Sequence, residues 1–225
     1  VRIKLTQYGK QKGIVFINLH ADETTSVEGA ENILRSTGGL LIRLENDNKR
    51  NISFGLGEQQ FTFDPNRIFS RQGIERTLTR FKNINDNAVV EVEEFATKIL
   101  SLFPRRAWCV VALHNNTDGN LSISSFMPGN MYEKDAQKVF AGEKQDPDDF
   151  FLTTDSLLYH QLSAENYNVV LQDNRLVQQD GSLSVYFGEK NICYLNCETE
   201  HGRKKQFEEM LAAALRYIRE RKAKG

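Results

Sequence analysis

Short uncharged runs alternate with amphipathic helical stretches along this chain of 225 residues, and that alternation predicts an α/β fold. Three observations carry the prediction. Residues 14–19 and 107–113 are near-continuous apolar runs rich in β-branched side chains, as strands buried on both faces require. Residues 88–103 place Val89, Val92, Phe95, Ala96, Ile99 and Phe103 at helical spacing. Residues 204–221 do the same with Phe207, Met210, Leu211, Ala214, Leu215 and Ile218, so this last helix should lie against the sheet.

The strand at 14–19 leads to a helix over 26–35, with Thr25 or Ser26 as its cap and Gly38-Gly39 as its end. Residues 40–44 are a second strand and 46–51 a polar turn. Residues 52–54 and 60–63 are short strands around Gly55-Leu56-Gly57. Pro65 forces an extended or turning chain. A helix is expected over 73–82, and the one over 88–103 stops at Pro104. The strand at 107–113 runs into a loop of Asn, Thr, Asp and Gly at 115–120. Residues 135–140 read as a short helix, 141–150 as an exposed loop, and 155–164 as a helix capped by Asp155 or Thr154. Residues 167–171, 183–187 and 192–197 read as strands. No segment repeats and no linker divides the chain, so one domain over 1–225 is expected.

Forty per cent of the residues are apolar, enough for a sizeable core. Lys plus Arg is 29 and Asp plus Glu is 30, a net charge of -1 that gives no support for a nucleic-acid surface. Basic residues cluster only at the end of the last helix, where the helix dipole favours cations. No apolar run approaches the ~20 residues that span a bilayer. Residues 1–13 show no signal-peptide pattern. Val1 in place of Met reads as a trimmed or processed start, compatible with an exported or a cytoplasmic protein. Oligomeric state is left open. The three cysteines, Cys109, Cys193 and Cys197, are odd in number, which argues against a disulfide scaffold. Cys193 and Cys197 have a Cys-x3-Cys spacing that could suit a metal, but small buried apolar residues are the simpler reading.

Polar residues stand where several apolar runs stop. His20 and Glu23 follow the first strand three residues apart, and both can converge on one point if the chain turns there. Imidazole and carboxylate are zinc ligands. Singly, His20 also reads as a strand-end residue and Glu23 as one near a helix N-terminus. His114 ends the other most apolar strand, which places it on the same edge of a parallel sheet as His20. Asp64-Pro-Asn-Arg67 is the most specific local string. Its Asn66 and Arg67 offer several donors, and a guanidinium holds a carboxylate by two parallel hydrogen bonds. Arg50 could supply a second cation. Glu198 and Glu200 share one face of an extended chain. Carboxylates beside a core strand cost free energy unless paired or at a site, and one of them has Arg203 or Lys204 within reach. His160 reads as structural and His201 as a weaker site candidate.

The order His-x-x-Glu, Asn-Arg, His and a late Glu resembles the zinc carboxypeptidases of the carboxypeptidase A type, a superfamily that includes the succinylglutamate desuccinylase and aspartoacylase branch. The resemblance spans residues 14 to about 202. It implies a three-layer α/β/α fold with a mixed, mostly parallel central sheet. It also implies one zinc ion on His20, Glu23 and His114. Asp64 to Phe69 match the family's Asp-x-Asn-Arg-x-Phe string, with Asn66 and Arg67 in the place that binds the substrate's terminal carboxylate. Gly181-Ser182 precedes Glu198 by the seventeen residues that separate the family's Gly-Ser from its catalytic Glu, which favours Glu198 over Glu200. Arg50 falls roughly where the transition-state arginine stands. The chain departs from the family in its shorter length. It also departs at 174–177, Asn-Arg-Leu-Val, where many carboxypeptidases carry a tyrosine. The implied activity is zinc-dependent hydrolysis of an amide bond next to a carboxylate, as a carboxypeptidase acting on peptides. An N-acyl amino acid deacylase and a non-catalytic peptide-binding module on the same fold are the alternatives.

Overall fold

Two uncharged runs form the middle of the sheet. β2 (Ile14–Asn18) and β6 (Cys109–Asn116) are buried at every residue, as parallel strands covered on both faces must be. The structure is a computed structural model that describes residues 1–11, 13–117 and 119–223. Around the central pair lie β1 (Arg2–Tyr8), β3 (Gly39–Glu45), β7 (Ala136–Phe140), β8 (Phe150–Thr153), β9 (Asn168–Gln172) and β10 (Cys193–Glu200). The sheet runs β1-β3-β2-β6-β10-β8-β9-β7. The pairs β3/β2, β2/β6, β6/β10 and β8/β9 are parallel. The pairs β1/β3, β10/β8 and β9/β7 are antiparallel. This is the expected mixed, mostly parallel sheet.

Alternation along each central strand feeds two cores. Ile14, Phe16, Val111, Leu113 and Leu195 face one side, where they meet α1 (Thr24–Thr37), α4 (Ser156–Ala164) and α6 (Lys204–Ala223). Val15, Ile17, Val110, Ala112 and Tyr194 face the other. There they meet α2 (Arg71–Arg80), α3 (Asp86–Ser101), α5 (Leu183–Glu189) and the hairpin of β4 (Ile52–Leu56) and β5 (Gln59–Phe63). Helices therefore cover both faces. No helix among the described residues is long and apolar enough to cross a membrane.

Several elements differ from the sequence reading. Residues 183–187 are helical, not a strand. Ser182 caps this short helix by accepting the N–H of Val185, and Leu183 and Phe187, four apart, reach the same core. A short apolar run with aromatic and β-branched residues does not distinguish the two states by itself. Residues 136–140 form edge strand β7 rather than a helix, because pairing with β9 overrides local preference. The end of the expected 141–150 loop is buried at Asp148 and Asp149, and Phe150 starts β8. The polar N-terminus forms β1, a half-exposed edge strand whose apolar signal is weak. Of the 115–120 loop, 115–116 belong to β6, and residue 118 lies outside the described residues. Cys109 and Cys193 form a disulfide, against the reading of Cys193 as a small buried apolar residue in a chain whose odd cysteine count argues against a disulfide scaffold, because β6 and β10 pair them directly across neighbouring strands. Cys197 is the free, buried cysteine.

Candidate metal centre and cleft

Three neighbouring parallel strands, β2, β6 and β10, carry the chemistry at their carboxyl ends, where open α/β sheets hold their ligands. His20 and Glu23 lie in the turn between β2 and α1, closed by the Glu23 N–H donating to the His20 carbonyl at 3.1 Å. Glu23 occupies the N-cap position of α1 yet makes no capping bond. Neither Thr25 nor Ser26 is the cap. The Glu23 carboxylate is turned inward, and the Ser26 N–H donates instead to Asn115 Oδ1 at 2.9 Å. Asn115 also donates to the Thr199 carbonyl at 3.3 Å, so it ties the start of α1 to β6 and β10.

His114 sits inside β6, two residues before its end, rather than at the end itself. It pairs in register with Glu198 of β10, so both project side by side on the face that carries Ala112 and Tyr194. One potential ligand atom from each of His20, Glu23 and His114 lies within 4.8 Å of the others, and all three residues are buried. His20 Nδ1 is 2.9 Å from Glu23 Oε1, and His114 Nδ1 is 2.9 Å from Glu23 Oε2. The second approach lacks hydrogen-bond geometry, which leaves Oε2 a buried oxygen without a hydrogen bond. Two imidazole nitrogens and a carboxylate aimed at one point, with an unsatisfied oxygen among them, are a donor set that fits a zinc-like cation.

Burial alone would depress the His20 imidazole and raise the Glu23 carboxyl. Their mutual attraction overrides both. With Asp64 added, His20 rises to about 9, and the imidazoles hold Glu23 well below the usual carboxylate range. Asp64 was not singled out by the sequence beyond its place in the Asp-Pro-Asn-Arg string. Its Oδ1 faces His20 Nε2 at 2.8 Å, and despite its burial the contact with His20 keeps its pKa low. Two further bonds hold it: its N–H donates to Thr77 Oγ1 of α2 at 2.9 Å, and its Oδ1 accepts the Asn66 N–H at 2.8 Å. An Asp bonded to the far nitrogen of a ligating imidazole sets the tautomer and the ring orientation.

His20, Arg50, Asn66, Arg67, His114 and Glu198 line one cleft of about 140 Å³, together with Asp64. Glu23 lies behind that wall. Glu198 is buried, and burial raises its carboxyl above the usual range, with the charge of Glu23 adding to the effect and His114 opposing it. Asn196 donates to Glu198 Oε1 at 3.0 Å. Glu200 takes the plainer role and pairs with Arg203 at 3.2 Å. His160 and His201 are exposed and outside the cleft. Arg50 is engaged with Glu23 Oε1 at 2.5 Å. Asn66 Oδ1 accepts the Leu183 N–H at 3.2 Å, and Arg67 pairs with Asp180 at 3.5 Å. Asp180, Asn196 and Tyr132 are cleft residues that sequence reasoning missed, because no spacing rule links them to the motif residues.

No protein-family description matches the chain, and no curated protein sequence matches it. Solved structures do. A single-residue variant of the cell shape determinant protein Csd4 from Helicobacter pylori superposes with a TM-score of 0.53 at 11% identity, covering 95% of this chain and 53% of that one. A tripeptide-bound Csd4 structure from the same organism gives a TM-score of 0.55 at 12% identity, covering 96% and 54%. The chain spans about half the length of these proteins, and at such identities the likeness establishes the α/β fold alone.

Proposed function

We propose that the chain is a zinc-dependent hydrolase of an amide bond adjacent to a carboxylate, acting as a carboxypeptidase on peptides and folded as one catalytic domain. The convergence of His20, Glu23 and His114 beside buried Glu198 carries the reading. When bound, zinc supplies Lewis-acid polarisation of the scissile carbonyl and of a water. The protein residues do the rest. Asp64 holds the His20 ring with Nδ1 toward the ligand site. Glu198, its pKa raised by burial, takes a proton from the attacking water and passes it to the leaving amine. Arg67 and Asn66 hold the substrate carboxylate, and Arg67 exchanges Asp180 for it. Arg50, at the mouth, stabilises the developing oxyanion. The tripeptide in the Csd4 structure supports a peptide ligand for this fold.

The small cleft also suits an N-acyl amino acid, so deacylation is the second reading. Release of C-terminal residues from peptides, compared with cleavage of N-acyl amino acids, separates the two. The test of the common chemistry is metal content and turnover in three proteins. Wild type should carry about one zinc per chain and turn over. His114→Ala should lose the metal, and Glu198→Gln should keep it while losing activity by about 10²–10⁴-fold. Wild type that cannot be loaded overturns the centre, and an active Glu198→Gln overturns the proton carrier. Peptide binding that survives chelation without any turnover would favour a non-catalytic module.

A further inference from the structure

Asp135 is the acid of the cleft that the proposed chemistry leaves unused. The other charged groups there are already engaged: Arg50 with Glu23, Arg67 with Asp180, His20 with Asp64, and His114 with Glu23. Glu198 has the proton to carry. Asp135 lines the same cavity and has no ion-pair partner among the described residues. The backbone holds it in place. Its Oδ1 accepts the Gln178 N–H at 3.0 Å, and its carbonyl accepts the Asp173 N–H at 2.8 Å. The carboxylate is therefore anchored without being neutralised. Gln172, Ser184, Asn196 and Tyr132 add polar groups to a lining that also carries Leu121, Phe126, Leu152, Val177 and Val185, apolar surface against which the methylene stem of a long cationic side chain can lie. At about 140 Å³ the cavity is well below the roughly 300 Å³ at which pockets begin to enclose drug-sized ligands, so it has room for little more than one side chain.

We propose that Asp135 is a specificity residue, and that the cleft selects a substrate whose terminal residue carries a cationic side chain, lysine or arginine. This rests on the amide-hydrolase reading above. A carboxylate in a partly enclosed cavity is costly unless paired, and a cationic side chain pairs it. An acidic side chain meets like charge, and an apolar one leaves Asp135 desolvated and uncompensated. Arg67 and Asn66 take the α-carboxylate of the same residue, so the two ends of a zwitterionic terminal residue are read separately.

The test uses zinc-loaded protein and blocked dipeptides that differ only in a C-terminal Lys, Leu or Glu. The Lys substrate should show a kcat/KM about tenfold or more above the other two. Asp135→Asn keeps the oxygen that accepts the Gln178 N–H and removes the charge. It should lower the Lys rate about tenfold and leave the Leu rate nearly unchanged. Equal or faster cleavage of the Leu or Glu substrate overturns the proposal, as does a Lys preference that survives in Asp135→Asn. Calorimetric binding of free lysine and free leucine gives an independent reading. If no dipeptide is cleaved, the hydrolase reading fails, and the calorimetry alone decides on Asp135. Stronger lysine binding that is lost in Asp135→Asn supports the role, and equal binding overturns it.

Discussion

Asp64 shows how one side chain connects two levels of the site. It touches His20 on the nitrogen that faces away from Glu23, and a hydroxyl of α2 and the Asn66 backbone fix its position. A metal-ligating imidazole without such a partner loses orientation and basicity. Asp64→Ala should weaken zinc binding about 10–100-fold in competition with a chromogenic chelator. An unchanged affinity would remove Asp64 from the centre. The individual ligands were legible in the sequence because His20, Glu23 and His114 sit at the stops of apolar runs. Asp64 was legible only as part of a string. Its contact with His20 joins residues forty-four apart in the chain, and nothing local announces it.

Among the elements, the loop that carries Asn66 and Arg67 depends on a pair of glycines. A Cβ on Gly73 at the start of α2 would lie 2.5 Å from the Gly181 Cα and 2.6 Å from the Arg67 carbonyl. Gly181 has φ +81°, and its own Cβ would lie 2.5 Å from the same carbonyl. The two backbones touch, which brings Asp180 beside Arg67 and the first turn of α5 beside Asn66. Gly181→Ala should cost about 1–3 kcal/mol of stability and raise KM through a displaced Arg67. Unchanged denaturant midpoint and KM would show that the contact is dispensable. The long amphipathic helices and the two uncharged strands could be read directly, since each buries a face whose period is written in the residues. β7 and α5 could not. Partners on β9 in one case, and on the face of the central sheet in the other, decided between strand and helix.

At the scale of the whole molecule, the buried cluster links folding to protons and to metal. The folded His20 pKa is raised from 6.5 to about 9, so the stability it contributes is fully present below 6.5 and lost as the pH rises through about 9. Glu23 and Asp64 are depressed, so their contributions are present above their ordinary values and lost as the pH falls through the depressed ones. Metal-free protein should therefore melt at a lower temperature at about pH 9.5 than at about pH 6. Zinc binds only deprotonated imidazole, so zinc loading near pH 7 should release about one proton and remove this alkaline loss. A melting temperature of the metal-free protein that is flat or rising over that range would contradict the linkage. The Cys109–Cys193 bridge closes a stretch of 84 residues between the strands that carry His114 and Glu198. Closing such a loop is worth roughly 4.5 kcal/mol in the chain-entropy account. Thiol titration of denatured protein should find one thiol before reduction and three after. Three before reduction would exclude the bridge.

The sequence by itself determined the α/β class, the buried central strands and which residue types could hold a metal, because burial and donor chemistry are properties of single residues and short periods. Tertiary structure decided the sheet order, the disulfide, the Asp64 contact and the exposure of Asp135 to the cleft. Those depend on which strands become neighbours, and that choice is made by burial on both faces of the whole sheet rather than by any segment alone.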